Sequence, residues 1–522
     1  MSLRPRSRTP DSSEADAQVS VTGVGIRDEE GAHRLAGLLL RPATEESAPT
    51  LLRLVGERPD LLIALDRLAR HPLYAPVPGW SEEARRAFAG GSGGIAVTAL
   101  ASLHRNGHVR ETATAALDAE GVLLPFLMLR TTDHVPQVRD QARAALATAL
   151  FRHPEAAGRL AALALRLVRR GHGGFALAQV TAVLWNASAN DLRASLTAAR
   201  GHRTRRFLFD LALAAGALDP VHLRDLALAD PDWRLRAKAA DLLAKDAVWT
   251  RRPDLLRELV PAAAPEVRVS ALTGLDRLGL LGPAVRHLTD GSFTVRAFAR
   301  DACRRAGDDP AAHYRALVDS ATPPAPGALA GLGECGSSGD VPRLARWLDH
   351  PSPAGRVQAV RALDRLGGVR LTDRASDLLT DTSADVIREA ARALRPLAGR
   401  LGDDRMLALL AHDRHQVRYA AYSILRERDG WLRLRAALTS AVDAHLKTAT
   451  RARIDAVWWA RRDEPAHVPP RDWQKISRER LPALTWDEHA VLTALADAAT
   501  PFLSPYAVGK LHRLLHTHRT SQ

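Results

Sequence analysis

A phrase of the form Val-Arg-x-x-Ala, with Leu or Ile sometimes replacing Val, recurs along the chain and constrains its fold more than any other feature. The arginines of this phrase, including one variant that aligns through its alanines, are Arg110, Arg139, Arg236, Arg268, Arg296, Arg356, Arg388 and Arg418. Successive arginines are about 30 residues apart, or two or three times that distance. This period is typical of stacked helix pairs, because no single pair can bury its apolar face alone.

Each unit has the same internal order. A short apolar helix ends at a turn that carries Asp, often followed by Pro or Gly, and an Ala- and Leu-rich helix such as VRDQARAALATAL (138–150) follows. Apolar residues recur there at helical spacing. Aromatic residues are only 5% of the chain, so the core must consist mainly of Leu, Ala and Val, which favours closely packed helices over sheets. We therefore predict an all-α protein, an α-solenoid of roughly eleven helix pairs between residues 95 and 430.

These units resemble HEAT repeats, particularly the short PBS-lyase-type class. The features that carry the resemblance are the Val-Arg-x-x-Ala phrase, the period of about 30 residues, and an Asp six residues before the Arg in three units. In that family the turn Asp and the second-helix Arg bond laterally between neighbouring repeats as a structural ladder, and no lyase activity is implied. The resemblance assigns this role to Asp133, Asp230 and Asp290 and to Arg139, Arg236 and Arg296.

The flanks of the repeats differ in composition. Residues 1–20 are polar and are predicted to be a disordered lead-in, and residues 21–94 are predicted to form a helical N-terminal cap. Residues 431–522 contain five of the ten tryptophans and are predicted to form a helical C-terminal cap. Trp458, Trp459 and Trp473 are candidate aromatic anchors for a partner, and the alternative is that the tryptophans fill the core of this cap.

The formal net charge is +14, and only five of the 73 basic residues are lysines. Arginine-rich chains can reflect genome composition, or they can bind anionic partners. Two stretches that lack the repeat phrase concentrate cations and lie one repeat apart. They form a candidate patch for an anionic partner, and its residues are Arg166, Arg169, Arg170, His172, Arg200, Arg203, Arg205 and Arg206. Of these, Arg203, Arg205 and Arg206 are predicted to be exposed.

Catalytic and metal motifs give little support to an enzyme. Cys303 and Cys335 are the only cysteines and neither belongs to a CxxC pair, so we predict no metal site and no cofactor. Some HEAT-like DNA glycosylases that excise alkylated bases are also basic helical solenoids with Trp and carboxylate residues. The nearest equivalents here are Trp458, Trp459, Arg461, Arg462 and Asp463, or Asp230, Asp232, Trp233 and Arg234.

The sequence favours a non-enzymatic HEAT-repeat scaffold that binds another protein on its concave surface. The first alternative is a nucleic-acid-binding solenoid that uses the basic stretches between Arg166 and Arg206, and the second is the glycosylase. No stretch has the length of a membrane span, and the N-terminus lacks the apolar region of a secretory signal. We therefore expect a cytoplasmic protein without membrane partners.

Overall fold

The computed structural model describes ten stretches of the chain: residues 29–40, 48–70, 79–91, 94–117, 121–282, 284–320, 322–367, 373–428, 430–462 and 481–519. The predicted lead-in over 1–20 and the candidate anchor Trp473 lie outside the described residues. The chain divides into two compact units, residues 1–255 and residues 256–522.

The described part of the first unit is helical. Its helices are α1 (Glu29–Leu39), α2 (Ala48–Gly56), α3 (Pro59–Arg70), α4 (Gly79–Ala89), α5 (Ile95–Ala101), α6 (Gly107–Ala116), α7 (Leu124–Arg130), α8 (Pro136–Arg152), α9 (Ala156–Leu167), α10 (Gly174–Trp185), α11 (Ala189–Ala198), α12 (His202–Ala214), α13 (Pro220–Ala229) and α14 (Trp233–Trp249). The boundary between the two units falls within the next helix, α15 (Pro253–Leu259).

The second unit continues with helices and short 3₁₀ turns. Its helices are α16 (Pro265–Arg277), α17 (Phe293–Arg305), α18 (Pro310–Asp319), α19 (Pro326–Cys335), α20 (Val341–Ala345), α21 (Pro353–Arg365), α22 (Asp373–Asp377), α23 (Ala384–Leu394), α24 (Asp403–Leu409), α25 (His415–Leu425), α26 (Gly430–Ala441), α27 (Leu446–Ala460), α28 (Trp486–Ala499) and α29 (Pro505–Thr517). The 3₁₀ turns span Ala284–His287, Ser338–Asp340, Arg346–Asp349, Leu378–Thr380, Arg395–Arg400 and Thr500–Phe502. Within the described stretches, extended pairing is limited to one isolated bridge between Leu484 and Arg519.

Small residues bring the helices close together. In α14 the buried face is formed by Leu235, Ala239, Leu243 and Ala247, which recur every four residues along one side of the helix. In α19, a Cβ atom on Gly333 would lie 2.5 Å from the Cα atom of Ala362 in α21. The core is thus built from Leu and Ala with few aromatic side chains, and the prediction of an all-α solenoid is confirmed.

Candidate functional site

Within the described residues, arginine–aspartate pairs connect helix pairs that follow one another in the chain, and in five of them, called rungs here, the arginine also donates to the turn of its own unit. In each rung, Nε and Nη2 of one arginine donate to the two carboxylate oxygens of an aspartate that lies 22 to 25 residues further along the chain. The rungs are Arg110–Asp133, Arg205–Asp230, Arg268–Asp290, Arg356–Asp381 and Arg418–Asp443. This planar, two-bond geometry is the strongest that a guanidinium offers a carboxylate.

The remaining nitrogen of the same guanidinium, Nη1, donates to a backbone carbonyl in the arginine's own unit. Arg268 Nη1 donates to the carbonyl of Ala262 at 2.8 Å, and Arg356 and Arg418 make the same bond to the carbonyl six residues earlier. Those carbonyls follow the end of the first helix of the unit, where helical hydrogen bonding stops. Each arginine therefore secures the turn of its own unit and the turn of the next unit at once.

The pairing differs from the expectation for the ladder. Asp133, Asp230 and Asp290 are rung acceptors, but their carboxylates are bound by Arg110, Arg205 and Arg268 of the preceding unit. Arg139, Arg236 and Arg296 instead donate to the backbone carbonyls of Asp133, Asp230 and Asp290. The rung arginines also donate to the turn of their own unit, because an arginine side chain on the first turn of a helix extends back toward the helix N-terminus.

The residue at the turn of the following unit distinguishes the arginines that form rungs. The arginines that form rungs follow the turn residues His104, Ala199, Ala262, His350 and His412. The next turn in each case carries an aspartate, whereas Ala262 follows the unit of Arg236 and offers no carboxylate. Each rung therefore connects one unit with the unit that follows it in the chain. The aspartate at the following turn is visible in the sequence, but the spacing between Asp and Arg within one unit does not reveal that it is the partner.

The turn residue also fixes the start of the second helix. The Asp290 carboxylate accepts the backbone N–H of Ser292 at 2.7 Å, and the other rung aspartates accept the N–H two residues on in the same way. Where histidine replaces aspartate, its Nδ1 accepts the equivalent N–H, as in His350 to Ser352 at 3.0 Å. Imidazole thus replaces the carboxylate as a cap but not as a partner for arginine.

Three rung aspartates, Asp133, Asp381 and Asp443, have a pKa that is lowered from the ordinary value of a carboxyl group. Burial raises the pKa of Asp133, but the hydrogen bond from Arg110 and the charge of Arg130 outweigh it and the pKa is lowered. The hydrogen bond from Arg418 lowers the pKa of Asp443, and Arg356 has this effect on Asp381 against the desolvation of that carboxyl group. These charges therefore have structural partners.

The first basic stretch of the candidate patch contacts helix α3. Arg166 pairs with Asp60 at 2.8 Å, and Arg170 pairs with Asp66 at 2.9 Å. Asp66 is almost fully buried and also binds Arg130, whose side chain is inaccessible to solvent. These cations help to hold α3 against α9. Arg169 and His172 are exposed.

The second basic stretch is divided between buried and exposed side chains. The expected exposure of Arg205 is wrong: this residue is 9% exposed, forms the rung to Asp230, and donates to the carbonyl of Ala199. Arg206 is half-buried and binds Asp232 with two hydrogen bonds, so full exposure is also wrong for this residue. The reason is that the period of the repeat continues through α12, although its phrase is lost.

Two other members of the stretch remain at the surface. Arg200 lies 3.9 Å from Glu57, and Arg203 is exposed. Binding of an anionic partner by the exposed members of the patch stays a prediction.

The two described candidate aromatic anchors, Trp458 and Trp459, also differ in exposure. Trp459 is fully buried and stacks on Trp431 with the ring centres 6.4 Å apart, so its assignment as a surface anchor is wrong. It lies on the small-residue face of α27, which packs into the core of the second unit. Trp458, the preceding residue, is half-buried and lines a surface groove.

The residues compared with a glycosylase site have structural partners. Asp230 and Asp232 are buried and bind Arg205 and Arg206, respectively. Asp232 also caps α14 through the N–H of Arg234, while Trp233 is exposed. Asp463 lies outside the described residues. Over the part of the chain that the structure describes, no group of three or more His, Cys, Asp or Glu side chains is arranged to hold a metal ion.

Sequence analysis missed a set of exposed aromatic residues in the first unit. Phe151, Trp185 and Trp249 each lie in the last turn of the second helix of a unit, and Phe151 and Trp249 are 88% and 87% exposed. The signal in the sequence is an aromatic residue at the end of an Ala- and Leu-rich helix, after the last position that faces the core. In stacked repeats the equivalent ends of such helices share one edge.

Comparison with known proteins gives one family. Residues 326–395, which contain helices α19 to α23 and the Arg356–Asp381 rung, match the model for HEAT repeats. A search of curated proteins found no match to the chain. None of the described helices has both the length and the apolar character needed to cross a bilayer. Residues 326–395 are therefore similar to HEAT repeats, and helix pairs recur on both sides of the matched segment.

Proposed function

We propose that this protein is a non-enzymatic HEAT-repeat scaffold that binds another protein. The observation that carries the proposal is the presence of Phe151, Trp185 and Trp249 at the surface of the first unit. Exposed Trp and Phe side chains are costly to leave in water, and Trp is enriched among the residues that dominate binding energy. Their shared place at the carboxyl ends of second helices supports one extended contact surface.

The charged residues support the same conclusion. The cations singled out by the sequence include four, Arg166, Arg170, Arg205 and Arg206, that are hydrogen-bonded to carboxylates of this chain, whereas Arg200 lies at the surface. An arginine bound to an internal carboxylate offers little net charge to a phosphate group. A surface that contacts protein through apolar and aromatic side chains therefore agrees better with the structure than one that contacts nucleic acid.

The test is recovery of a stoichiometric partner from the organism that encodes the protein. The tagged full-length chain is crosslinked in cells, and the crosslinked residues are mapped by mass spectrometry. Partner crosslinks are expected near Phe151, Trp185 and Trp249, and the triple substitution to Ser should abolish recovery of the partner. A matched control replaces the exposed Phe293 and Tyr506 of the second unit with Ser. Recovery of the chain alone, or equal loss with the control, would contradict the proposal.

A further inference from the structure

A groove lies on the surface of the second unit, beside the second helices of its last repeats. Its larger part has a volume of about 810 Å³ and is lined by α25, α27 and the 3₁₀ turn Arg395–Arg400. A smaller part of about 420 Å³ shares Thr450 and Ile454 with it and extends to Trp458 and Phe502. The two parts are treated together as the α25–α27 groove.

Helix α27 carries a second apolar stripe that faces this groove. Leu446, Thr450, Ile454 and Trp458 follow one another at intervals of four residues, so they lie along one side of the helix. Leu446 is 73% exposed and Ile454 is 48% exposed. A surface helix normally presents charged residues opposite its buried face. Here the buried face is made of Ala449, Ala452, Ala456 and Trp459, and the opposite side is apolar again.

Aromatic rings extend the stripe on both sides. Tyr419 of α25 is 37% exposed, and the ammonium group of Lys447 lies 5.5 Å from the centre of its ring. At the other end, the guanidinium of Arg453 lies 4.2 Å from the ring centre of Phe502. The groove is therefore a row of apolar side chains that starts at Leu446 and ends at Phe502.

Exposed cations outnumber exposed carboxylates among the residues that line the larger part of the groove. Arg395, Lys447 and Arg451 are exposed cations among the lining residues. Arg426 also lines the groove, but its guanidinium is bound to the buried Asp455. Glu427 is the one exposed carboxylate among the residues that line this part of the described chain. The rim therefore attracts negative charge while the floor favours apolar contact.

We propose that the α25–α27 groove binds an acidic amphipathic segment of a partner protein. Apolar side chains of the segment contact Leu446, Ile454 and Phe502, and its carboxylates face Lys447 and Arg451. This inference rests on the proposed scaffold function and gives it a partner chemistry.

Leu446 and Ile454 are aliphatic and offer no face on which a nucleic acid base can stack. The rings of Tyr419 and Phe502 are each covered on one face by a cation, Lys447 and Arg453, so the floor favours a protein segment over a single-stranded nucleic acid. An apolar face laid into a groove is a common mode of peptide recognition.

The experiment uses the full-length chain and a displayed library of random peptides of about 15 residues, which is about four helical turns. Peptides retained by the wild-type chain are sequenced, synthesised with a fluorescent label, and titrated by anisotropy. The groove variants are Ile454→Asp and the pair Lys447→Glu with Arg451→Glu. The control variants make the same changes of charge elsewhere on the second unit, Phe293→Asp for the first and the pair Arg277→Glu with Arg304→Glu for the second, all at exposed positions. Circular dichroism verifies that each variant is folded.

We expect the retained peptides to combine Asp or Glu with Leu, Phe or Trp. Each groove variant should weaken binding by about tenfold or more, and neither control variant should change it. Binding should also weaken as salt rises, because the rim charges are exposed. Retained peptides without acidic residues, affinity that the groove variants do not alter, or no retained peptide would each overturn the proposal. A labelled 25-base-pair duplex that competes with the peptides and loses affinity in the Lys447→Glu, Arg451→Glu variant would replace it with a nucleic acid site.

Failure of this proposal is distinguishable from failure of the scaffold function. A cellular partner that crosslinks to Phe151 and Trp249, in a chain whose groove retains no peptide, would overturn the groove alone. A groove that binds acidic peptides, in a chain that yields no partner lost on the Phe151, Trp185 and Trp249 substitutions, would overturn the surface of the first unit and leave the groove in place.

Discussion

Arg418 binds Asp443 through two parallel hydrogen bonds, Nε to Oδ2 at 2.7 Å and Nη2 to Oδ1 at 2.9 Å. The same guanidinium donates to the carbonyl of His412 at 2.9 Å, and the same carboxylate accepts the N–H of His445 at 2.7 Å. One ion pair therefore connects the turn before α25 with the turn before α27. Side chains of this kind fix the relative position of two helix pairs more sharply than apolar contacts between Ala and Leu do.

The first prediction concerns this rung. Arg418→Ala and Asp443→Ala should each destabilise the second unit by about 1.5–3 kcal/mol, because each leaves a mostly buried charged group without its hydrogen bonds. The double variant should cost less than the sum of the single variants, since both remove the same interaction. Hydrogen exchange of peptides that cover α25 and α27 measures the change locally.

Arg139→Ala is the matched control for the rung. Arg139 is similarly shielded, but its contact with the turn is a hydrogen bond to the carbonyl of Asp133 at 3.3 Å. The cost should stay at or below about 1 kcal/mol in the exchange of peptides around α8. Equal costs for Arg139→Ala and Arg418→Ala would show that the lateral pairing contributes nothing of its own.

The second prediction is a loss of stability in acid. Because the pKa of Asp443 is lower in the folded chain than in the unfolded chain, its stabilisation is complete above the unfolded value of about 3.9 and disappears as pH falls through the folded value. Asp133 and Asp381 act in the same direction. The melting temperature difference between wild type and Asp443→Asn should be constant from about pH 5 to 8 and shrink below about pH 4. A difference that grows in acid would contradict this assignment.

The architecture was predictable because the period of about 30 residues survives as a pattern of apolar residues and turns. The partner of each arginine was not, because the choice depends on the turn of the next unit. Arg268 and Arg296 occupy the same place in the Val-Arg-x-x-Ala phrase, yet Arg268 binds Asp290 whereas Arg296 binds Glu334. The exposure of Arg205 was misjudged for a related reason, since a stretch with several arginines gives no sign of which one points inward.

The sequence also did not predict which side chains of α27 lie at the surface. Trp458 and Trp459 are neighbours, and a helix turns by about 100° per residue, so one ring can enter the core while the other faces the groove. Deciding which one does so requires the positions of α26 and α28. The tryptophan content predicted that this cap differs from the repeats but not which side chains reach its surface.

The third prediction compares two arginines that are two residues apart. Arg203→Ala should change stability by less than about 0.5 kcal/mol, because the side chain is exposed. Arg205→Ala should cost about 3 kcal/mol, because it leaves the buried Asp230 carboxylate without its ionic partner. Thermal unfolding of the two variants beside wild type measures both values. Equal melting temperatures would mean that the rung in α12 does not contribute to stability.

The fourth prediction concerns two helical glycines. Alanine normally stabilises a helix relative to glycine, by about 0.5–1 kcal/mol. Gly509 in α29 has open space at its Cβ position, so Gly509→Ala should show this gain. A Cβ at Gly333 would meet the backbone and Cβ of Ala362, so Gly333→Ala should instead destabilise by about 1–3 kcal/mol. If thermal unfolding shows that both substitutions raise the stability by the same amount, α19 and α21 can move apart at little cost.

The last prediction concerns nucleic acid. Arg166, Arg170 and Arg206 lie beside Asp60, Asp66 and Asp232, so the basic stretches offer less charge to a phosphate backbone than their composition suggests. Affinity for a labelled 25-base-pair duplex should therefore be weak and should vanish as salt rises from about 50 to 200 mM.

The matched variants for this titration are Arg169→Ala and Arg203→Ala, both at exposed positions, with the exposed Arg277→Ala of the second unit as the control. If the stretches contact phosphate, the first two variants should each lower the salt dependence and the control should not, because each lost phosphate contact removes about one released counterion. If binding depends only on the overall positive charge of the protein, all three variants should show the same small change in salt dependence. Sub-micromolar affinity that persists at the higher salt concentration and depends on Arg203 would establish a nucleic acid surface in the first unit despite its internal ion pairs.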